Sequence, residues 1–194
     1  MGFFSNLFGQ KGKDKTTSNA TNQSLADNTK PDFALYEETV NQIAVSEVLQ
    51  NDLKLKLKQA FEDPKSFYDD DNEFILSERG LTYPADVALT PKFVLVDTMH
   101  DENQMAEVDW KEDEDEIRFA INTILEAKNY TTISNDVKYD DSETFDILNL
   151  INDNELKSIG YSLEILDIDS DSYVFTIVPL EIHQGVAILF SKLK

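Results

Sequence analysis

Cysteine is absent from the 194 residues, so disulfides, thiolate nucleophiles and zinc–thiolate sites are excluded, and the chain suits a reducing compartment such as the cytoplasm. The six glycines are scattered. They form neither G-x-G-x-x-G nor the P-loop pattern, and the G-x-S-x-G nucleophile elbow is missing as well. Histidine occurs only twice: His100 stands among Asp97, Asp101 and Glu102, and His183 lies near the tail, so no clustered His ligands are available for a metal. No apolar run approaches the roughly 20 residues that cross a bilayer. Positive charge is scarce beside negative, with 17 Lys and Arg against 38 Asp and Glu and a net of -21. Phosphate backbones are held by clustered bases that release counterions, so nucleic acid is not an expected partner, whereas a basic protein is.

The start, "MGFFSNLFGQKGKDK", is not a secretory signal, because its lysines follow the apolar residues instead of preceding them. Asn6 stands where a myristoylation motif needs Ser or Thr. Phe3, Phe4, Leu7 and Phe8 would share one face of two helical turns ahead of Lys11, Lys13 and Lys15, a pattern suited to weak peripheral contact with a membrane. Residues 10 to 31 are polar with a lone Leu25, too little apolar surface to offset chain entropy, and read as a linker. Four of the bases and two of the acids fall in residues 1 to 31, net +2, which leaves 13 bases and 36 acids for residues 32 to 194. The acidity therefore belongs to residues 32 to 194, expected as a single α+β domain.

Phe33, Tyr36, Val40, Ile43, Ala44 and Val48 recur at helical spacing, and "NDLKLKLKQAF" follows with Asn51 or Asp52 as its cap, which predicts a helical hairpin. A short helix containing Phe74, Ile75 and Leu76 is expected to stop at Gly80. "TPKFVLVDTM" reads as a helix with Thr90 as cap and Pro91 first, although "FVLV" also suits a strand. In "MAEVDW" the residues Ala106, Val108 and Trp110 alternate with Met105, Glu107 and Asp109, a strand, and Ile117, Ala120, Ile121, Ile124 and Leu125 then repeat with helical period. "YTTI" from Tyr130 is expected as a further strand, and Phe145, Leu148 and Ile151 as a further helix. "NELKSIG" reads as a helical turn or two ended by Gly160. Tyr161, Leu163 and Ile165, then Tyr173, Phe175 and Ile177, alternate around Asp169 to Ser172, which predicts a terminal hairpin with a four-residue loop. The tail "IHQGVAILFSKLK" fits an edge strand or a helix. The expected architecture is an N-terminal helical hairpin, a central strand-helix unit and a C-terminal β-hairpin, packed as one antiparallel or mixed sheet with helices.

Asp167, Asp169 and Asp171 occupy the first, third and fifth positions of an EF-hand loop, but the sixth is Ser172 instead of Gly and the twelfth is Val178 instead of Glu. A turn capped by Asp and Ser is the preferred reading, with a divalent cation as the alternative. "KEDEDE", Lys111 to Glu116, marks a helix start, where carboxylates are stabilised by free N–H groups. That same charge disfavours phosphate binding at this strand-to-helix junction. Trp110, the sole tryptophan, is expected at the core edge, and with Asp109, Lys111, Asp113 and Glu114 it makes the candidate surface for a basic partner.

The segments "AEVDWKEDEDEI" and "GYSLEILDIDSDSYVFTIVP" resemble a bacterial family of unknown function over about residues 32 to 180. The resemblance implies a bacterial cytosolic protein and marks Asp109, Trp110, Asp169, Asp171 and Tyr173, without assigning an activity. The reading is a non-enzymatic protein-binding module, immunity-like in covering a basic partner, with no cofactor. The alternatives are a hydrolase dependent on carboxylates or a divalent metal, and a membrane-peripheral scaffold held by the N-terminal Phe and Leu residues.

Overall fold

A computed structural model describes residues 32–68, 76–139 and 143–193. Helix α1 (Phe33–Ile43) begins where the Asp32 side chain accepts a hydrogen bond from the Ala34 N–H at 3.0 Å, and it buries Tyr36, Val40 and Ile43. The chain turns extended at Ala44, and Ser46 caps α2 (Glu47–Glu62) by accepting from the Leu49 N–H. The expected helical hairpin is present, but its turn comes earlier: Ser46, not Asn51 or Asp52, is the cap. Val48 consequently lies exposed on α2 instead of extending the buried face of α1. The alternation of Leu53, Leu55 and Leu57 resolves as a helix because Leu49, Leu53 and Leu57, four residues apart, take the buried stripe and leave Leu55 in water.

A 3₁₀ turn (Leu76–Arg79) ends at Gly80, whose φ of 80° is open to glycine; Phe74 and Ile75 lie outside the described residues. Helix α3 (Thr90–Asp101) starts with Thr90 already helical and Leu89 in the cap position, one place before the expected cap. Thr90 through Val96 are all buried, so α3 has no solvated face in that stretch. That enclosure is why "FVLV" reads equally well as a strand.

Strand β1 (Ala106–Asp109) leads into α4 (Glu114–Ala127), where the Asp113 carboxylate accepts from the Glu116 N–H at 3.0 Å and three acids fill the first turn. No strand forms at Tyr130. The backbone there is held by α4 side chains: Asn122 accepts from the Ile133 N–H and donates to the Ile133 carbonyl, and Arg118 donates to the Ser134 carbonyl. Helix α5 (Thr144–Ile151) runs through a π-helical turn (Asn152–Leu156) and a 3₁₀ turn (Lys157–Ile159) to Gly160 at φ 91°. The terminal hairpin is β2 (Tyr161–Leu166) and β3 (Ser172–Pro179), joined by five residues instead of four because Asp167 and Ile168 leave the ladder while Ser172 joins it. The tail forms α6 (His183–Phe190).

The sheet is antiparallel throughout, in the order β1-β3-β2, with Val108 opposite Tyr173 and Leu163 opposite Ile177. Central β3 is apolar on both faces, as a strand between two helical layers must be. Phe175 and Ile177 join the core of α4 and α5, and Val174 and Val178 join the core of α1, α2, α3 and α6. Among the described residues, no helix is long and apolar enough to cross a membrane.

Candidate functional site: three exposed aromatics on an acidic face

Trp110 falls just after the last ladder pair, Asp109 with Ser172, and is therefore outside the sheet and 44% exposed. The core-edge placement expected for it is not found among the described residues, because β1 ends at Asp109 and leaves the ring beyond the ladder. Instead the Lys111 ammonium lies 4.0 Å from the ring centroid, and the Asp109 carboxylate accepts from the Lys111 N–H, which fixes the tight turn.

Trp110 and Lys111 line a cleft of about 300 Å³ with Glu112, Glu143 and Thr144. The Thr144 hydroxyl donates to the Glu112 carbonyl at 3.3 Å, which joins the start of α5 to the junction. The next residue, Phe145, is 45% exposed with its ring centroid 5.6 Å from that of Tyr173. On the other side, Glu112 also lines a second cleft of about 220 Å³ with Glu116 and Phe119, and Phe119 is 69% exposed on α4. The two clefts meet at Glu112, with Trp110 and Glu143 lining one and Phe119 and Glu116 the other, and Phe145 stands beside Thr144 at the start of α5.

The five residues singled out from sequence do not all point to this face. Asp113 is engaged as the cap of α4. Glu114 turns inward, accepting from Arg118 Nε at 2.7 Å and from the Tyr139 N–H at 2.7 Å. Asp115 pairs with Lys138. Glu112 and Glu116, which the spacing did not separate from their neighbours, are the acids of that run that line the clefts. His100 also lines the second of them, and Asp97, its neighbour in sequence, pairs with Arg79 instead.

The aspartate-rich turn has a local account. Asp167 accepts from the Asp169 N–H at 2.9 Å, Asp169 takes φ 56°, and Ser170 accepts from the Ser172 N–H. Asp171 is exposed. Among the described residues, no three His, Cys, Asp or Glu side chains are grouped so as to hold a metal. Phe3, Phe4, Leu7 and Phe8 lie outside the described residues.

A family model described as a domain of unknown function (DUF6630) matches residues 35–193. The chain belongs to that family. No curated protein and no solved structure matches it. The DUF6630 match reaches Leu193 and so takes in α6, beyond the stretch that the two motif segments suggested.

Several cations in this DUF6630 chain are held in polar contacts that composition alone conceals. Arg118 is 1% exposed and donates to Glu114, to both oxygens of Glu155 and to the Ser134 carbonyl; burial lowers its pKa, but the two glutamates more than reverse that. Arg79 binds Asp97 and Glu107 and lies 5.1 Å from the Phe93 ring centroid. Burial raises the pKa of Asp97 despite Arg79, whereas at Glu107 the same burial is outweighed by the Ser172 hydroxyl and Arg79, and the carboxyl lies below its usual range. Lys92 is 7% exposed and donates to the Asp167 carbonyl. A signal for Arg118 was present in the sequence: it lies three and seven residues before Ile121 and Leu125, on the buried face of α4.

Proposed function

We propose that this chain is a non-enzymatic recognition module that holds a basic segment of a partner protein against the face around Trp110. The observation that supports the reading is the exposure of Trp110, Phe119 and Phe145 at or beside two clefts that share Glu112 and are lined also by Glu116 and Glu143. Isolated exposed apolar residues are ordinary, but three large aromatics near several carboxylates have the composition of an interface with anchors and a charged rim. The net charge of -21 would steer a basic partner toward the domain and discriminate against acidic ones. An immunity-like role, covering the basic site of another protein in the cytoplasm of a bacterium, is the concrete form of this reading.

Affinity capture with the wild-type chain and with a Trp110→Ser/Phe119→Ser variant tests it. The expected result is a basic protein recovered at about 0.05 M salt, reduced at about 0.15 M as screening shortens the reach of the charges, and lost with the variant. Recovery of no basic protein at either salt, or equal recovery by the variant, overturns the reading.

A further inference from the structure

Lys92 is the third residue of α3, enclosed where the helix has no solvated face. An ammonium in that position is costly unless its donors are satisfied. One N–H is bonded to the Asp167 carbonyl at 3.1 Å, and among the described residues the other two have no acceptor and no carboxylate lies within ion-pair distance. Burial lowers the pKa of Lys92, opposed by the charges of Asp167 and Asp169. The side chain lines two clefts that flank the turn between β2 and β3, of about 550 and about 510 Å³, and Asp169 borders both. The larger cleft is lined by the apolar Phe190 and Leu193 together with the polar Lys92, Glu164, Asp167, Asp169 and Ser191.

A purely anionic ligand would be repelled by Glu164, Asp167 and Asp169, and a purely cationic one by Lys92. A ligand that carries both charges a few ångströms apart satisfies both, and an apolar body would cover Phe190 and Leu193. We propose that the larger cleft binds a free apolar α-amino acid, its carboxylate on the Lys92 ammonium, its ammonium beside Asp169 and its side chain against Phe190 and Leu193. This site is independent of the aromatic face, so the failure of one reading leaves the other standing.

Thermal unfolding and calorimetric titration of the full chain test the proposal, with L-leucine, leucinamide, which lacks the carboxylate, and isocaproate, which lacks the ammonium. L-leucine should raise the melting temperature saturably, and neither analogue should. Lys92→Met should abolish the effect, and Asp169→Asn should weaken binding about tenfold, the loss of one well-placed ionic contact. The wild-type analogue series carries the test even if Lys92→Met folds poorly. The proposal is overturned if leucine, methionine and phenylalanine all leave the melting temperature unchanged at about 10 mM. It is overturned equally if both analogues match leucine, or if a folded Lys92→Met retains binding.

Discussion

Lys128 Nζ lies 2.9 Å from the backbone carbonyl oxygen of Ile43, a contact that ties the end of α4 to the end of α1 through the sheet. The same ammonium donates to Thr176 Oγ1 at 2.8 Å and to the Ile177 carbonyl at 2.9 Å. Thr176 passes its own hydroxyl hydrogen to the Gln104 carbonyl, and the Gln104 side chain accepts from the Val45 N–H. In the protonated form three N–H donors thus meet three oxygens at the point where the two cores and the central strand converge. Lys128→Met would leave buried carbonyls unsatisfied, and the expected loss is about 1–3 kcal/mol of unfolding free energy, measured by urea denaturation.

The same lysine predicts a pH dependence. Burial lowers its pKa to about 7 in the folded protein, against about 10.4 in an unfolded chain. Between those values the unfolded chain binds a proton that the folded chain has released, so stability rises as pH rises from about 7 toward about 10. Lys92, also lowered, acts in the same direction. The difference between wild type and Lys128→Met isolates the Lys128 share: the slope should be shallower in the variant, and equal slopes would contradict the assignment.

Arg118→Ala should be more damaging than most single changes. It leaves Glu114 and Glu155 facing each other in a largely dry site, and it frees the Ser134 carbonyl that holds the segment after α4. The expected cost is about 3–5 kcal/mol, read from denaturant midpoints, with faster amide exchange in residues 130–139. Arg118→Lys should recover only part of it, because a single ammonium cannot grip both oxygens of Glu155 and reach Glu114.

Gly160 adopts φ 91° between the 3₁₀ turn (Lys157–Ile159) and β2, with open space where a side chain would go. Gly160→Ala should therefore cost about 1 kcal/mol through backbone strain alone, with no repacking of the neighbouring core. A neutral result in thermal unfolding would show that the turn relaxes.

The α+β architecture was legible because its periods are strong. Leu163 and Ile165 alternate, Ile117, Ile121 and Ile124 repeat at helical spacing, and both patterns survive folding unchanged. Where the period was lost, so was the reading. Helix α3 is enclosed through its first two turns and shows no polar face, and "YTTI" has strand propensity that Asn122 and Arg118 override from α4. The site was half legible: the Asp-Trp pair and the acidic run located the junction. Nothing in the spacing distinguished Glu112 and Glu116, which face the clefts, from Glu114, which turns toward Arg118. Lys92 and Lys128 resemble surface lysines in sequence, and only tertiary packing encloses them.

Trp110 is the sole tryptophan, so its emission reports on the proposed face and on nothing else in the chain. Titration of a captured basic partner into the wild-type protein should shift that emission to shorter wavelength in step with calorimetric saturation, and Phe119→Ser should weaken binding about thirtyfold, the scale of an interface anchor. Saturable binding with no change in Trp110 emission, and with full affinity retained by Phe119→Ser, would contradict recognition through this face.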